Sequence, residues 1–370
     1  MEKLKKFLKT EVVLIVSFTA ALFTSFFVPI STDYITYIDF KVLSILFCLM
    51  SIVAGLKEVG LFNVLAEKMT SGANNTRGLF LSLVLICFFS SMLITNDVAL
   101  ITFVPFSLLV LEITGQTDKV IFVTVMQTVA ANLGSMLTPV GNPQNLFLFS
   151  NYNIGVWEFF KITVPVTAAG FLLIFMLSVV GKHQQIFVQF NLKESIKSKN
   201  KLYAYIFLFL LSMLTVFRVV NFTYVFLIVA ASVFLLDKRL FFKVDYSLLA
   251  TFVFFFIFTG NIEKMETVRS FLAQLINSHE LIYSVLMSQV ISNVPAAVLL
   301  SNFTHNYKAL LIGTNIGGLG TLVASLASLI SYKLYVKTPD SKPSRYLIAF
   351  TTVNFSMLLA LLIFSTFIIL

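Results

Sequence analysis

The chain has 370 residues, 58% of them hydrophobic and only 12% charged, with a formal net charge of +9. Soluble domains carry about 25% charged residues, so a soluble globular protein is excluded. Apolar runs of roughly 20 residues recur along the whole length, each enough to cross about 30 Å of hydrocarbon, which calls for an all-α polytopic membrane protein in the lipid bilayer. The short alternating segments of a β-barrel are absent. Lys and Arg in such a chain mark loops, so no nucleic-acid partner is expected.

Residues 1–27, MEKLKKFLKTEVVLIVSFTAALFTSFF, begin basic and continue apolar, as a signal peptide does. The apolar run is too long for one and no small-residue cleavage site closes it cleanly, so a first span is expected over 11–30. A second span covers 41–57, and an amphipathic helix follows at 58–70. Residues 79–111 are apolar with polar residues near their middle and read as a re-entrant hairpin. A broken helix at 120–149 and a span at 158–181 close a first half, 1–181. The long polar, basic stretch 182–201 is the expected cytoplasmic linker. The second half, 202–370, holds spans at 202–217, 222–236 and 247–260 and an amphipathic segment at 262–276. A second hairpin at 281–306, a broken helix at 309–334 and a last span at 346–370 complete it. The expectation is about nine spanning helices plus two hairpins.

With both hairpins entering and leaving on one side, 20 of the 26 Lys and Arg fall on a single face. The positive-inside rule makes that face, and the N-terminus with it, cytoplasmic, in a plasma or inner membrane. Arg218 and Lys161 lie at span ends, where snorkelling is the default. Cys48 and Cys87 sit in apolar segments and read as small buried hydrophobes; no metal-ligand spacing is present.

The two halves repeat each other. NLGSMLTPVGNPQN (132–145) lies against NIGGLGTLVASLAS (315–328), and SMLITNDVA (91–99) against SQVISNVPA (288–296). Upstream, IDFKVLSILF (38–47) resembles VDYSLLATFV (244–253). By the charge count one hairpin opens from each side, so the repeats are inverted. Inverted repeats with interrupted apolar segments at matching positions point to the midplane site of a secondary transporter.

The interruptions carry the chemistry. Pro139, Gly141 and Pro143 break the first helix; Gly313, Gly317, Gly318 and Gly320 loosen the second. Each break exposes carbonyls at one helix end, which suit a cation such as Na⁺, and N–H groups at the next helix start, which suit an anion. At the hairpin tips Thr95, Asn96, Ser292 and Asn293 offer oxygens and donors to either. Asp97 is the one acid placed well inside the hydrocarbon, where a charge costs at least about 2.5–3.5 kcal/mol on insertion scales, so it marks function or else caps and holds the hairpin. Gln127, Gln144, Asn145 and Gln289 are site wall or helix-to-helix hydrogen bonders. With no fixed cation in the core, anion charge must be met by helix dipoles, N–H groups and a co-bound cation.

TNDVALITFVP (95–105), LTPVGNPQN (137–145), SQVISNVPA (288–296) and GTNIGGLGTLVASLASL (313–329) resemble the ion transporter superfamily over nearly the whole chain. That group holds divalent-anion:sodium symporters, citrate permeases, the arsenite-pump membrane subunit and a sodium–proton antiporter branch; the likeness is closest to the arsenite-pump and citrate-permease-like anion permeases. The resemblance implies a first cation site from Ser91, Thr95, Asn96 and the Gly141 carbonyl. It implies a second from Ser288, Ser292, Asn293 and the Ala324 carbonyl. Substrate would lie between the tips, at Thr95, Asn96, Asp97, Asn142, Ser292, Asn293 and Thr321. The symporters carry Ser-Asn-Thr at both tips, so Asp97 and Val294 depart from them. The resemblance also implies a homodimer and an elevator-like motion of the hairpin-bearing domain.

The expected function is secondary active transport of a small anion, a di- or tricarboxylate or an inorganic oxyanion. The coupling ion is Na⁺ or H⁺, and no other cofactor is expected, since no Walker-type loop is present. The alternatives are a Na⁺/H⁺ antiporter and a metalloid-oxyanion efflux permease. An intramembrane enzyme needs paired catalytic groups, and this core offers one acid and no histidine.

Overall fold

In the computed structural model residues 11–71, 73–179, 185, 195–277, 279–339 and 341–369 are described. They are helical, with no strand among them. The first half comprises α1 (Val12–Ser25), α2 (Asp33–Tyr37), α3 (Phe40–Glu58), α4 (Leu61–Thr70), α5 (Thr76–Ser90), α6 (Asn96–Ile113), α7 (Val120–Ser135), α8 (Pro143–Asn151) and α9 (Val156–Val179). The second comprises α10 (Lys199–Val216), α11 (Phe222–Asp237), α12 (Tyr246–Lys264), α13 (Glu266–Ile276), α14 (Glu280–Ile291), α15 (Asn293–Ser301), α16 (Tyr307–Ile316), α17 (Leu326–Val336) and α18 (Pro343–Ile369). Most of the expected linker 182–201 lies outside the described residues.

Among the described residues six helices are long and apolar enough to cross a membrane: α3, α6, α9, α10, α12 and α18. Large apolar side chains face outward along the spans, Leu235 at 83% and Phe367 at 82% exposure among them, as lipid contact requires. The expected span 11–30 is shorter in the structure: α1 stops at Ser25. Pro29 disfavours helix in the residue before it, and the Thr24 and Ser25 hydroxyls turn back to Ala21 O at 3.0 and 2.8 Å. Asn261 of α12 then ties this corner down, donating to Thr24 Oγ1 (3.2 Å) and Tyr34 Oη (3.1 Å).

From α3 onward the same succession of elements occurs twice. Asp39 caps α3 by accepting from Val42 N, and Asp245 caps α12 by accepting from Leu248 N, both at 2.9 Å. Each helix is 19 residues long and leads into a short helix, α4 or α13. A hairpin follows (α5–α6 or α14–α15), then a broken helix (α7–α8 or α16–α17), then a long helix (α9 or α18). Packing separates two groups: α3 lies on α10 and α11 and α12 on α1, while hairpins and broken helices pack on one another.

Arg218, exposed at a span end as expected, also makes a local contact. In the turn between α10 and α11, at φ 63°, it donates from Nη2 to Phe149 O (2.7 Å) and stacks 4.7 Å over the Phe149 ring. The carbonyl near the C-terminal end of α8 and the aromatic face hold the guanidinium from one side while the residue stays exposed. Cys48 and Cys87 are free thiols buried in the core, as expected.

Candidate functional site

The two tips are built differently. Residues 91–95 connect α5 to α6, whereas Ser292 alone connects α14 to α15, at φ 76° and ψ 154°. That backbone region is essentially glycine's, and holding serine there costs on the order of 1–3 kcal/mol.

Both tips nevertheless make one set of contacts. Asn96 N donates to Gly141 O (3.2 Å) and Asn293 N to Ala324 O (2.9 Å). The Asn96 side chain accepts from Asp97 N (3.1 Å), and the Asn293 side chain from Val294 N (2.9 Å). Thr138 Oγ1 donates to Met92 O (2.5 Å), as Thr321 Oγ1 does to Gln289 O (3.1 Å). Gly134 and Gly317 let each hairpin's first arm touch its broken helix: a Cβ there would lie 2.6 Å from Ser91 Oγ and 2.8 Å from Ser288 Oγ.

The breaks, 136–142 and 317–325, leave backbone groups without helical partners. Asn145 Nδ2 reaches the carbonyls of Ser135, Met136 and Thr138 at 3.3, 3.1 and 3.1 Å. Gln289 Nε2 reaches those of Gly317 and Leu319 at 2.7 and 3.0 Å, while its Oε1 accepts from Thr321 N at 2.8 Å. The carbonyls expected to be exposed at the breaks are thus taken up by side chains, because an orphaned carbonyl at membrane depth is costly. Asn145 and Gln289 are break staples rather than cavity wall.

Helix starts, in contrast, meet around a small, mostly buried cavity. Asn96 and Asp97 of α6, Pro143 and Gln144 of α8, Asn293 and Val294 of α15, and Ser325 and Leu326 at the head of α17 line one small cavity with Leu248 of α12. Four helix N-termini therefore meet there. Asn142 caps α8 by accepting from Asn145 N (2.9 Å), but Thr95, Ser292 and Ser325 make no side-chain cap to their helices. Each N-terminus carries roughly half a positive elementary charge, so the four amount to about two. Asp97 opposes them, and no Lys, Arg or His is among the lining residues. Asp97 and Thr95 also line a larger cavity of about 500 Å³, with Asp245, apolar walls from α3 and α17, and the exposed Lys57, Glu58, Lys243 and Lys333.

The expected site residues divide accordingly. Asn96, Asp97 and Asn293 line the small cavity and Thr95 the larger one. Gly141 and Ala324 carbonyls accept the tip N–H groups, and Ser292 Oγ donates to Ala324 O (3.3 Å). Asn142 is a helix cap, and Thr321 is held by Gln289. Ser91 and Ser288 hydroxyls donate into their own helices, to Phe88 O (2.9 Å) and Ser284 O (2.7 Å). Sequence reasoning missed Ser325, Asn132 and Asn315; the available signal was their place in the aligned repeat segments.

Comparison with known proteins places this geometry. The citrate transporter family model matches residues 1–306. The chain belongs to the citrate transporter family. This citrate-transporter-family protein is 36% identical over 298 residues to an uncharacterized transporter of Methanocaldococcus jannaschii, covering 80% of this chain and 81% of the other. It is 29% identical over 318 residues to the inner membrane protein YbiR of Escherichia coli, covering 84% of each. A silicon efflux transporter of rice, Oryza sativa subsp. japonica, is 31% identical over 153 residues, 41% of this chain and 31% of the other. The family and the archaeal and rice relatives make the protein a membrane transporter.

Proposed function

We propose that the protein is a secondary active transporter of a small anion, coupled to Na⁺ or H⁺. The observation that carries this reading is the meeting of four helix N-termini on one cavity. Aligned peptide dipoles bind an anion without a cationic side chain; the N–H groups of Asn96, Asp97, Asn293 and Val294 are already engaged, so the dipoles supply the attraction. The cation has a place in the same arithmetic. A proton or Na⁺ neutralising Asp97 raises the site's net positive charge by about one, so the cation and the anion each strengthen the other's binding, as linkage requires. Asn96 and Asn293, the Thr95 and Ser292 hydroxyls and the Gly141 and Ala324 carbonyls are the oxygens we assign to Na⁺. Ser91 and Ser288, whose hydroxyls donate to Phe88 O and Ser284 O, keep oxygen lone pairs that can join them.

The recurrence of elements supports two inverted repeats over 1–181 and 202–370 joined by 182–201. With the basic face cytoplasmic, the larger cavity opens inward and the N-terminus is cytoplasmic, in a plasma or inner membrane. The separate packing of α1, α3, α10, α11 and α12 supports an elevator motion of the hairpin-bearing group within a homodimer. A second reading is Na⁺/H⁺ antiport or metalloid-oxyanion efflux. It draws on Asp97 and Asp245 facing one cavity and on the likeness to a silicon efflux transporter of rice.

Uptake of radiolabelled citrate, succinate, sulfate and phosphate into proteoliposomes, under imposed Na⁺ or pH gradients, separates the two. Saturable, gradient-driven uptake of one anion is expected. Collapse of a pH gradient on adding Na⁺, with no anion moved, would overturn the anion reading.

A further inference from the structure

The two broken helices meet through a reciprocal pair of side-chain bridges. Asn132, near the end of α7, accepts at Oδ1 from Ser325 Oγ (3.0 Å), the residue that heads α17. Asn315, in the last turn of α16, accepts at Oδ1 from Asn142 Nδ2 (2.9 Å), the residue that heads α8. In the aligned segments Asn132 lies over Asn315 and Asn142 over Ser325, so one bridge is made twice with donor and acceptor halves exchanged. Both asparagines are buried, and neither lines the cavity.

Each amide does more: Asn132 Nδ2 lies 3.4 Å from Gly318 O and 3.5 Å from Ser328 Oγ, and Asn315 Nδ2 donates to Leu311 O (2.7 Å). Asn132 Oδ1 also accepts from Asn96 Nδ2 (2.8 Å), so a single oxygen fixes the first tip and the head of α17 together. Asn315 Nδ2 donates to Asn145 Oδ1 (2.6 Å), the side chain that staples the first break. A buried carboxamide with both its oxygen and its nitrogen engaged has one orientation, and its partners inherit it.

We infer that Asn132 and Asn315 are positioning residues of the anion site, each fixing the helix start that the opposite half contributes. The assignment rests on the anion-transport reading for its purpose, though not for its geometry. Without the bridges the heads of α8 and α17 each lose a fixed point on the opposite half, and the two helix starts no longer hold one aim.

Amide hydrogen exchange on the purified full chain in nanodiscs tests this with no substrate required. Asn132→Ala should speed exchange over 325–329 about tenfold, the effect of one lost buried hydrogen bond, while 142–147 stays protected. Asn315→Ala should do the reverse. A purely structural role predicts loosening around the mutated residue itself, or everywhere, and either result overturns the inference. Should Asn132→Ala not fold, Ser325→Ala removes the same bridge from its donor side and should reproduce the effect over 325–329. Asn142→Ser keeps a donor of the kind the second half already uses, so it should retain wild-type protection over 142–147, where Asn142→Ala loses it. Equal loss in both variants would contradict the bridge. Failure of every panel anion to move, with the cross-half exchange pattern intact, would refute the transport reading and leave the positioning assignment standing.

Discussion

Gln289→Leu removes a side chain of similar size whose amide closes the second break. In the wild type Gln289 satisfies the Gly317 and Leu319 carbonyls and the Thr321 N–H, at 2.7, 3.0 and 2.8 Å. Leucine leaves all three backbone groups without a partner, at about 1–3 kcal/mol for each buried group. Gln289 is only half-buried, so water relieves part of that cost and the lower end applies: roughly 3 kcal/mol in all. One kcal/mol moves Tm by about 2–4 °C in a domain of 150–250 residues and by less in a longer chain, so a fall of about 5 °C is expected. Cys48 and Cys87 are both buried and free, so a thiol-reactive dye in detergent reports the transition directly. Hydrogen exchange over 316–322 should rise in parallel. A Tm within 1 °C or so of wild type, with exchange over 316–322 unchanged, would refute the view that side chains carry the break.

Three other substitutions bear on the tips. Ser292→Gly relieves a left-handed φ of 76° and should raise stability by about 1 kcal/mol net of glycine's entropy, whereas Ser292→Ala keeps the strain and should not; the same dye melt distinguishes them. Both variants lose the hydroxyl assigned to the cation, so both should weaken Na⁺ dependence in proteoliposomes. Asp97→Asn should leave the fold intact, since Asp97 is half-buried and open to a cavity, but should shift the pH or the Na⁺ dependence of transport. Unaltered dependence on both would reduce Asp97 to a helix-start residue.

Much of this was legible before any coordinates, because polar and helix-breaking residues stand out in a chain this apolar. Thr95-Asn96-Asp97, Ser292-Asn293, Pro139, Gly141 and Pro143 fall at the tips and breaks they were read as. The twin caps Asp39 and Asp245 lie inside the repeated segments IDFKVLSILF and VDYSLLATFV. What was not legible depends on three-dimensional crossing. Asn132 and Ser325 are 193 residues apart, and only the meeting of two broken helices joins them. Nor does spacing reveal that Asn145 and Gln289 would consume the break carbonyls, since the unwound backbone's path decides which amide reaches it. The Arg218 contact was hidden for the same reason: snorkelling is a rule about depth and does not reveal the Phe149 carbonyl beside it.

The central claim, that an anion sits where four helix starts converge, is tested most directly by protection of a thiol placed there. Val294→Cys puts one beside Asn293 in the cavity, against a background of two buried cysteines. Whichever panel anion is transported should slow its modification by a methanethiosulfonate reagent, half-maximally near the anion's transport KM and more strongly when Na⁺ or low pH is present. Transport of that anion with no protection of the thiol at saturating concentration would contradict the account.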